Sequence, residues 1–368
     1  MDSLTRQIAF AMLPGINLDN ADSLRERVGS VDDFFSKPTS ELWQAIGAQK
    51  AYCTDAERQR LLTAAASEAQ FVRSSHISAI PSDDESYPRR LALCGDAPAL
   101  IYKLGNIDLD SAHVVAIVGT RKATAYGLHF VAKLVEDLAR NLDNLIIVSG
   151  LAYGIDVAAH KAALSASVPT VGVVAHGLKT IYPAEHRSIA ARMIHEGGGI
   201  VTEYTSDTPA HRGNFLARNR IVAGLSDVTV VVESDLRGGS MVTAGLASAY
   251  GREVAAAPGR ATDRFSAGPN ALIHDNKAFI IRDGLDLIEA MNWQPKPAEG
   301  MPQELPFPEL TDEMRRLIDF LRAHPSATVD DMVQELAMPY HKLSANLIQM
   351  EMSDAITALP GGRYQLNI

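Results

Sequence analysis

Residues 212–220 read R-G-N-F-L-A-R-N-R, three arginines bracketing a phenylalanine, and no acid occurs from Pro209 to Ser226. Guanidinium forks grip phosphate oxygens, and an aromatic ring offers a face on which an unpaired base stacks. Arg212, Gly213, Phe215, Arg218, Asn219 and Arg220 are therefore candidate contacts for single-stranded nucleic acid. The helical spacing of Phe215, Leu216, Ile221, Val222 and Leu225 also fits a core-facing helix. Phe215 alone would be assigned to packing, and the surrounding cations shift the reading to binding.

A second group of residues closes a series of apolar runs: Gly119-Thr120-Arg121, Ser149-Gly150, His176-Gly177, Glu203, Glu233-Ser234 and Pro258-Gly259. Small residues, hydroxyls and an arginine suit phosphate, which accepts hydrogen bonds from backbone N–H, Ser, Thr and guanidinium groups. Gly154 in SGLAYGID widens the same approach. An ordinary NAD site is not expected: VVAIVGTRKATAYG lacks G-x-G-x-x-G, and the next run ends in Ser149 and Gly150, not in an acid for the ribose.

Catalytic readings are weaker. Asp156 and His160 are four residues apart and could form an acid–base pair, but a helix cap at Asp156 and a buried, hydrogen-bonded His160 account for both. No G-x-S-x-G accompanies them. Glu203 and Glu233 are candidates for paired carboxylates or for loop-orienting groups. No catalytic residue, cofactor or metal is assigned, since His ligand spacings are absent and Cys53 and Cys94 are the only cysteines.

These residues need a frame. HVVAIVG, LIIVSG, TVGVVAHG, GIVTEY, VTVVVES, EVAAAPG and AFIIRD read as strands separated by amphipathic helices. One of those helices, 128–142, carries a packing stripe of Leu128, Val131, Val135 and Leu138. Such alternation predicts an α/β fold, a doubly wound, mostly parallel, extended Rossmann-like sheet over 77–293. Residues 1–76 read as a helical helix-hairpin-helix or SAM-like domain. Its turns, LPGI at 13–16 and AIGA at 45–48, would either meet a DNA backbone or simply pack helices together. Five prolines between 295 and 308 make 294–309 a semi-rigid linker. Beyond it, three helix patterns and two short strands around Gly361-Gly362 predict a winged helix over 310–368.

Composition sets the outer bounds. The 368-residue chain is 46% hydrophobic, which is ordinary for a globular protein. The apolar run from Ile8 to Leu13 is too short to cross a bilayer and lacks a secretory flank, so a cytoplasmic protein without membrane contact is expected. The net charge of −10 is uneven: residues 301–368 hold ten acids and five bases, half of the total. A basic surface elsewhere is compatible with that sum.

Taken in order, IVGTRKATAYG, VSGLAYGIDVAAHKAAL, GLKTIYP, NFLARNRIVAGLS, GGSMVTAGLASAYGREVAAAPG and AGPNALI resemble the bacterial DNA processing protein A family, DprA, also called Smf. YPRRLALCGDAPALIYKLGN upstream is similar to the segment leading into the family's core. The resemblance implies single-stranded DNA binding, homodimerisation and loading of the RecA recombinase in natural transformation, with no established catalytic reaction. The family's F-P-x-R-N-R stands here as Phe215-Leu216-Ala217-Arg218-Asn219-Arg220, and its S-G-S as Gly238-Gly239-Ser240, so Gly239 and Ser240 join the candidate site. Lys179 and Lys277 replace residues common in the family and are candidates for extending the phosphate track. His176 replaces a smaller residue.

The competing class is a phosphoribohydrolase-like, nucleotide-processing enzyme with a P-G-G-x-G-T-x-x-E loop. GGSMVTAGLASAYGR echoes that loop, yet no acid lies between Asp235 and Glu253. A nucleotide sensor without catalysis is the third reading.

Overall fold

The computed structural model describes residues 2–46, 54–296, 311–325, 327–352, 355–359 and 362–367. The second N-terminal turn beyond Ile46, Cys53, most of the proline-rich segment and Gly361 lie outside them. Met1–Lys296 and Pro297–Ile368 are separate compact units.

The first unit is built on nine strands: β1 (Ser78–Pro81), β2 (Leu100–Leu104), β3 (His113–Val118), β4 (Leu145–Ser149), β5 (Thr170–Val173), β6 (Gly199–Thr202), β7 (Val228–Val231), β8 (Glu253–Ala256) and β9 (Phe279–Ile280). Their order across the sheet is β1-β2-β6-β5-β4-β3-β7-β8-β9. Pairing is parallel from β6 to β9 and antiparallel at β1–β2 and β2–β6. The seven strands read from the sequence are all present, while β1 and β2 are additional. Continuous Val/Ile runs form the central strands because helices cover both faces.

On one face, Val115 and Ile117 pack under the helices Ala125–Asn141, Ile155–Ser165 and Gly284–Ala290. On the other, Val114, Ala116 and Val118 meet Ile221, Val222, Ala244 and Ala247. Each fully buried Val, Ile or Leu contributes about 1.5–3 kcal/mol of transfer free energy. The stripe on Ala125–Asn141 differs from the sequence reading at one end. Val131, Val135 and Leu138 are buried with Phe130 and Leu134, whereas Leu128 is 45% exposed. It lies on the solvent side of the first turn, while Phe130 and Leu134 belong to the buried cluster.

The N-terminal helices Ser3–Ala11, Leu18–Val28, Val31–Ser36, Thr39–Ile46 and Asp55–Ser74 share a core with Ile77, Ala99, Leu100 and Tyr102. They therefore pack onto the β1–β2 hairpin within the same compact unit. Glu68 ties them further into the unit by accepting hydrogen bonds from the Ser206 amide (2.9 Å) and hydroxyl (2.6 Å).

The second unit has the helices Asp312–Ala323, Val329–Leu336 and Tyr340–Met352 and a small sheet of β10 (Ala327–Thr328), β11 (Ile356–Leu359) and β12 (Arg363–Leu366), ordered β10-β12-β11. Met314, Leu317, Leu321, Leu343 and Leu347 form its core. This is a winged helix, with β10 as a third strand.

Candidate nucleic-acid interface

The winding direction reverses between β3 and β7. Strands β4, β5 and β6 extend from one side of β3, and β7, β8 and β9 from the other. The chain leaving β3 enters a helix on one face, and that leaving β7 enters the helix Gly239–Ala249 on the opposite face. Such a switch point opens a crevice at the carboxyl ends of the strands. A cavity of about 280 Å³ fills it.

Three segments wall the cavity. Gly119, Thr120 and Arg121 come from the turn after β3; Phe215, Arg218 and Asn219 come from the helix Arg212–Gly224; and Gly239 and Ser240 begin the helix that follows β7. Gly150 and Asp156 complete the wall beneath them. The first turn of Gly239–Ala249 contains no acid, and the helix dipole presents its positive end to the cavity. Asn219 crosses the gap and donates from Nδ2 to the Gly239 carbonyl at 3.2 Å.

Arg218 is only 4% exposed. Its guanidinium donates to the Val173 carbonyl, while Nε has no partner among the described residues. Gly150 makes room for it, because a Cβ there would lie 2.2 Å from Nη1. Burial raises the Asp156 pKa against the opposing pull of Arg218, and burial in turn lowers that of Arg218. The floor thus holds two buried ionisable groups that act on each other electrostatically. Asp156 lies inside the first turn of Ile155–Ser165 and accepts from the Ala152 amide at 3.4 Å, while the N-cap is Gly154. The cap expected at Asp156 is therefore taken by a glycine, whose φ of +75° carries the chain past the Thr120 carbonyl. His160 is fully buried with Nδ1 2.7 Å from the Thr170 hydroxyl, and burial pushes its pKa down to about 3.

At the mouth, the Arg121 guanidinium lies 5.1 Å from the centroid of the half-buried Phe215 ring. Leu216, which the core-facing alternative would bury, is 51% exposed on the cavity rim, because the helix turns this side outward and buries Ile221 and Val222 instead.

The remaining candidates fall elsewhere. Ser149 Oγ donates to the Ile117 carbonyl inside the sheet (2.6 Å). Arg212 and Gly213 are exposed at the start of their helix, outside the cavity wall. The stretch without acids is not left unneutralised: Arg220 donates through both terminal nitrogens to Glu203, at 3.0 and 2.6 Å. Lys179 pairs with Asp207 (2.6 Å) and Lys277 with Asp275 (3.2 Å). Folding brings Glu203 and Asp207 in from other segments, which a reading along the chain does not see, whereas Asp275 is two residues from Lys277 in the sequence.

Glu203 and Glu233 do not face each other as a catalytic pair. Glu203 holds Arg220, and Glu233 accepts from the Thr124 amide (2.9 Å) and hydroxyl (2.5 Å). Both tie loops. His176, buried beneath the 177–183 loop, donates from Nδ1 to the Gly177 carbonyl (2.9 Å) and accepts from the Tyr182 amide at Nε2 (3.1 Å). Asp235 and Thr243, which also line the cavity, were not singled out in the sequence. Their only local signal is proximity to the Gly-Gly-Ser turn.

Among the described residues, no group of His, Cys, Asp or Glu has a metal-binding arrangement, and no helix is long and apolar enough to cross a membrane.

Residues 78–292 match the model of a family described as DNA recombination-mediator protein A, and residues 301–362 match a DprA winged helix domain. Protein Smf of Escherichia coli is 35% identical over 298 residues, covering 78% of this chain and 77% of that protein. The DNA processing protein DprA of Bacillus subtilis is 38% identical over 209 residues, covering 56% and 69%. Among solved structures, DNA processing protein A of Streptococcus pneumoniae superposes with a TM-score of 0.66 at 29% identity, covering 78% of this chain and 98% of that one. The Helicobacter pylori protein, described for its single-stranded DNA binding mode, superposes with a TM-score of 0.52 at 32% identity, covering 59% and 95%.

Proposed function

The chain belongs to the DNA recombination-mediator protein A family, and on that premise we propose that it binds single-stranded DNA at the crevice between β3 and β7, protects it, and loads the RecA recombinase onto it during recombination and natural transformation. The observation that carries this reading is the Arg121–Phe215 pair at the mouth of a glycine-walled cavity. A ring for an unpaired base, a cation for its phosphate and a helix N-terminus behind them are what a single strand requires. The single-stranded DNA binding described for the H. pylori relative supports it.

The protein acts as a homodimer in this proposal, so that one strand engages two copies of a short track and avidity replaces a long groove. It works in the cytoplasm without cofactor or metal and carries out no catalytic step. The nucleotide-enzyme reading lacks its loop glutamate, since no acid lies between Asp235 and Glu253.

Gel shifts with labelled single-stranded and duplex DNA at two salt concentrations test the central claim. Single strands should bind more tightly, with a log–log salt slope of roughly −3 if about four phosphates are neutralised. Duplex binding of equal or greater strength would sink the proposal. Faster growth of RecA filaments on single strands in the presence of the protein tests the loading step, and an unchanged rate would remove it.

A further inference from the structure

Beside the cavity, and not part of its wall, Tyr182 leaves 48% of its surface in solvent. Its ring centroid lies 5.8 Å from that of Phe215, with the planes inclined at 55°. Arg121 covers Phe215 from 5.1 Å, so one cation and two rings form a connected strip leading outward from the cavity.

An exposed tyrosine on a loose loop would mean little, but this one is held from beneath. Its amide donates to the Nε2 of His176, a residue 1% exposed, and the Gly177 amide at the other end of the loop donates to the Thr208 carbonyl at 2.9 Å. The following Pro183 is buried, and its carbonyl accepts from the His186 amide at 3.0 Å. The ring is therefore presented to water from a fixed backbone. A preorganised aromatic side chain loses little conformational freedom when a flat ligand settles on it.

We propose that Tyr182 is a second base-stacking subsite, outside the cavity, which takes the nucleotide next to the one on Phe215. The inclination of the two rings means that adjacent bases stack on separate faces and splay apart. A flexible single strand can follow that path and a duplex cannot. The inference rests on Phe215 and Arg121 being the entry to the single-strand site, and the test separates the two ideas.

Full-length protein and its Tyr182→Ala, Tyr182→Phe, Tyr182→Leu and Phe215→Ala variants would be titrated, by fluorescence anisotropy, with oligo(dT) and with an abasic oligomer of equal length. Circular dichroism melting would establish that each variant is folded. Tyr182→Ala and Tyr182→Leu should lose about tenfold in affinity for oligo(dT), within the range of one stacked base, and change little on the abasic strand, while Tyr182→Phe binds as the parent does. An equal loss on both ligands would show that Tyr182 merely supports the loop, and undiminished oligo(dT) binding by folded Tyr182→Ala would overturn the subsite. If Phe215→Ala alone weakens binding, the single-strand site stands and this inference fails. If the parent protein does not bind oligo(dT), the underlying reading fails first.

Discussion

Phe215 and Arg121 sit together although 94 positions apart in the chain, and single substitutions separate their contributions. Phe215→Ala should lower single-strand affinity by about 1–3 kcal/mol, the value of one base–aromatic stack. Because the ring is only half-buried, the accompanying loss in chemical denaturation should fall short of the roughly 3–5 kcal/mol of a fully buried Phe. A full core-sized loss with unchanged affinity would assign Phe215 to packing. Arg121→Ala should weaken all sequences alike and reduce the salt slope by about 0.7, one phosphate contact; a sequence-dependent loss in titrations would contradict that. A different kind of residue-scale effect comes from His160, held near a pKa of about 3 by burial, and from His176, lowered by burial in the same direction. Both bind a proton in the unfolded chain near pH 6.5 and resist it when folded. Their contribution to stability is complete above about pH 6.5 and shrinks as the pH falls below it. Thermal melts from pH 7.5 to 5 should show a falling midpoint, less steep in a His160→Gln variant.

The elements around the cavity act through their ends. Gly154 is the N-cap of Ile155–Ser165 at a φ of +75°, and a Cβ added there would stand 2.2 Å from the Thr120 carbonyl. Gly154→Ala should cost at least about 1 kcal/mol from the left-handed backbone alone, measured by urea denaturation. The Gly119–Arg121 turn must also shift, so affinity should fall in the fraction that remains folded. An unaltered affinity would show that this turn does not hold the strand. The winged helix gives the opposite expectation. Lys342 is the only lysine or arginine of its third helix, Tyr340–Met352, and it is occupied by Glu313 at 3.1 Å. A recognition helix ordinarily brings several cations to phosphates. This module therefore suits a protein contact or a regulatory role better than a groove.

At the scale of the molecule, that difference becomes a division of labour. A fragment ending at Lys296 should keep single-strand affinity within about twofold, or roughly 0.4 kcal/mol, at 0.15 M salt. Lys296 is retained because its amide donates to the Asn141 carbonyl at 2.6 Å. A tenfold loss in gel shifts would make the winged helix a principal reader. Light scattering of the same fragment at micromolar concentration should give the mass of a dimer, and a strict monomer would contradict the two-track proposal.

The sequence by itself determined what depends on local order. The seven apolar runs became β3 to β9 because a strand buried on both faces must be apolar along its length, and the small residues and hydroxyls at their ends marked Gly119, Thr120 and Gly150 on the cavity wall, to which the family resemblance added Gly239 and Ser240. The hairpin of β1 and β2 escaped that reading. SAIP is short and holds a proline, and β2 pairs antiparallel on both sides, so neither follows the pattern of the parallel strands. Only the tertiary structure decided which charges remain available. Arg220 meets Glu203, Lys179 meets Asp207, and Arg218 descends beside Asp156, whereas Arg121 stays exposed over Phe215. A charge is neutralised by what lies within a few ångströms, and folding sets that distance among residues far apart in the chain.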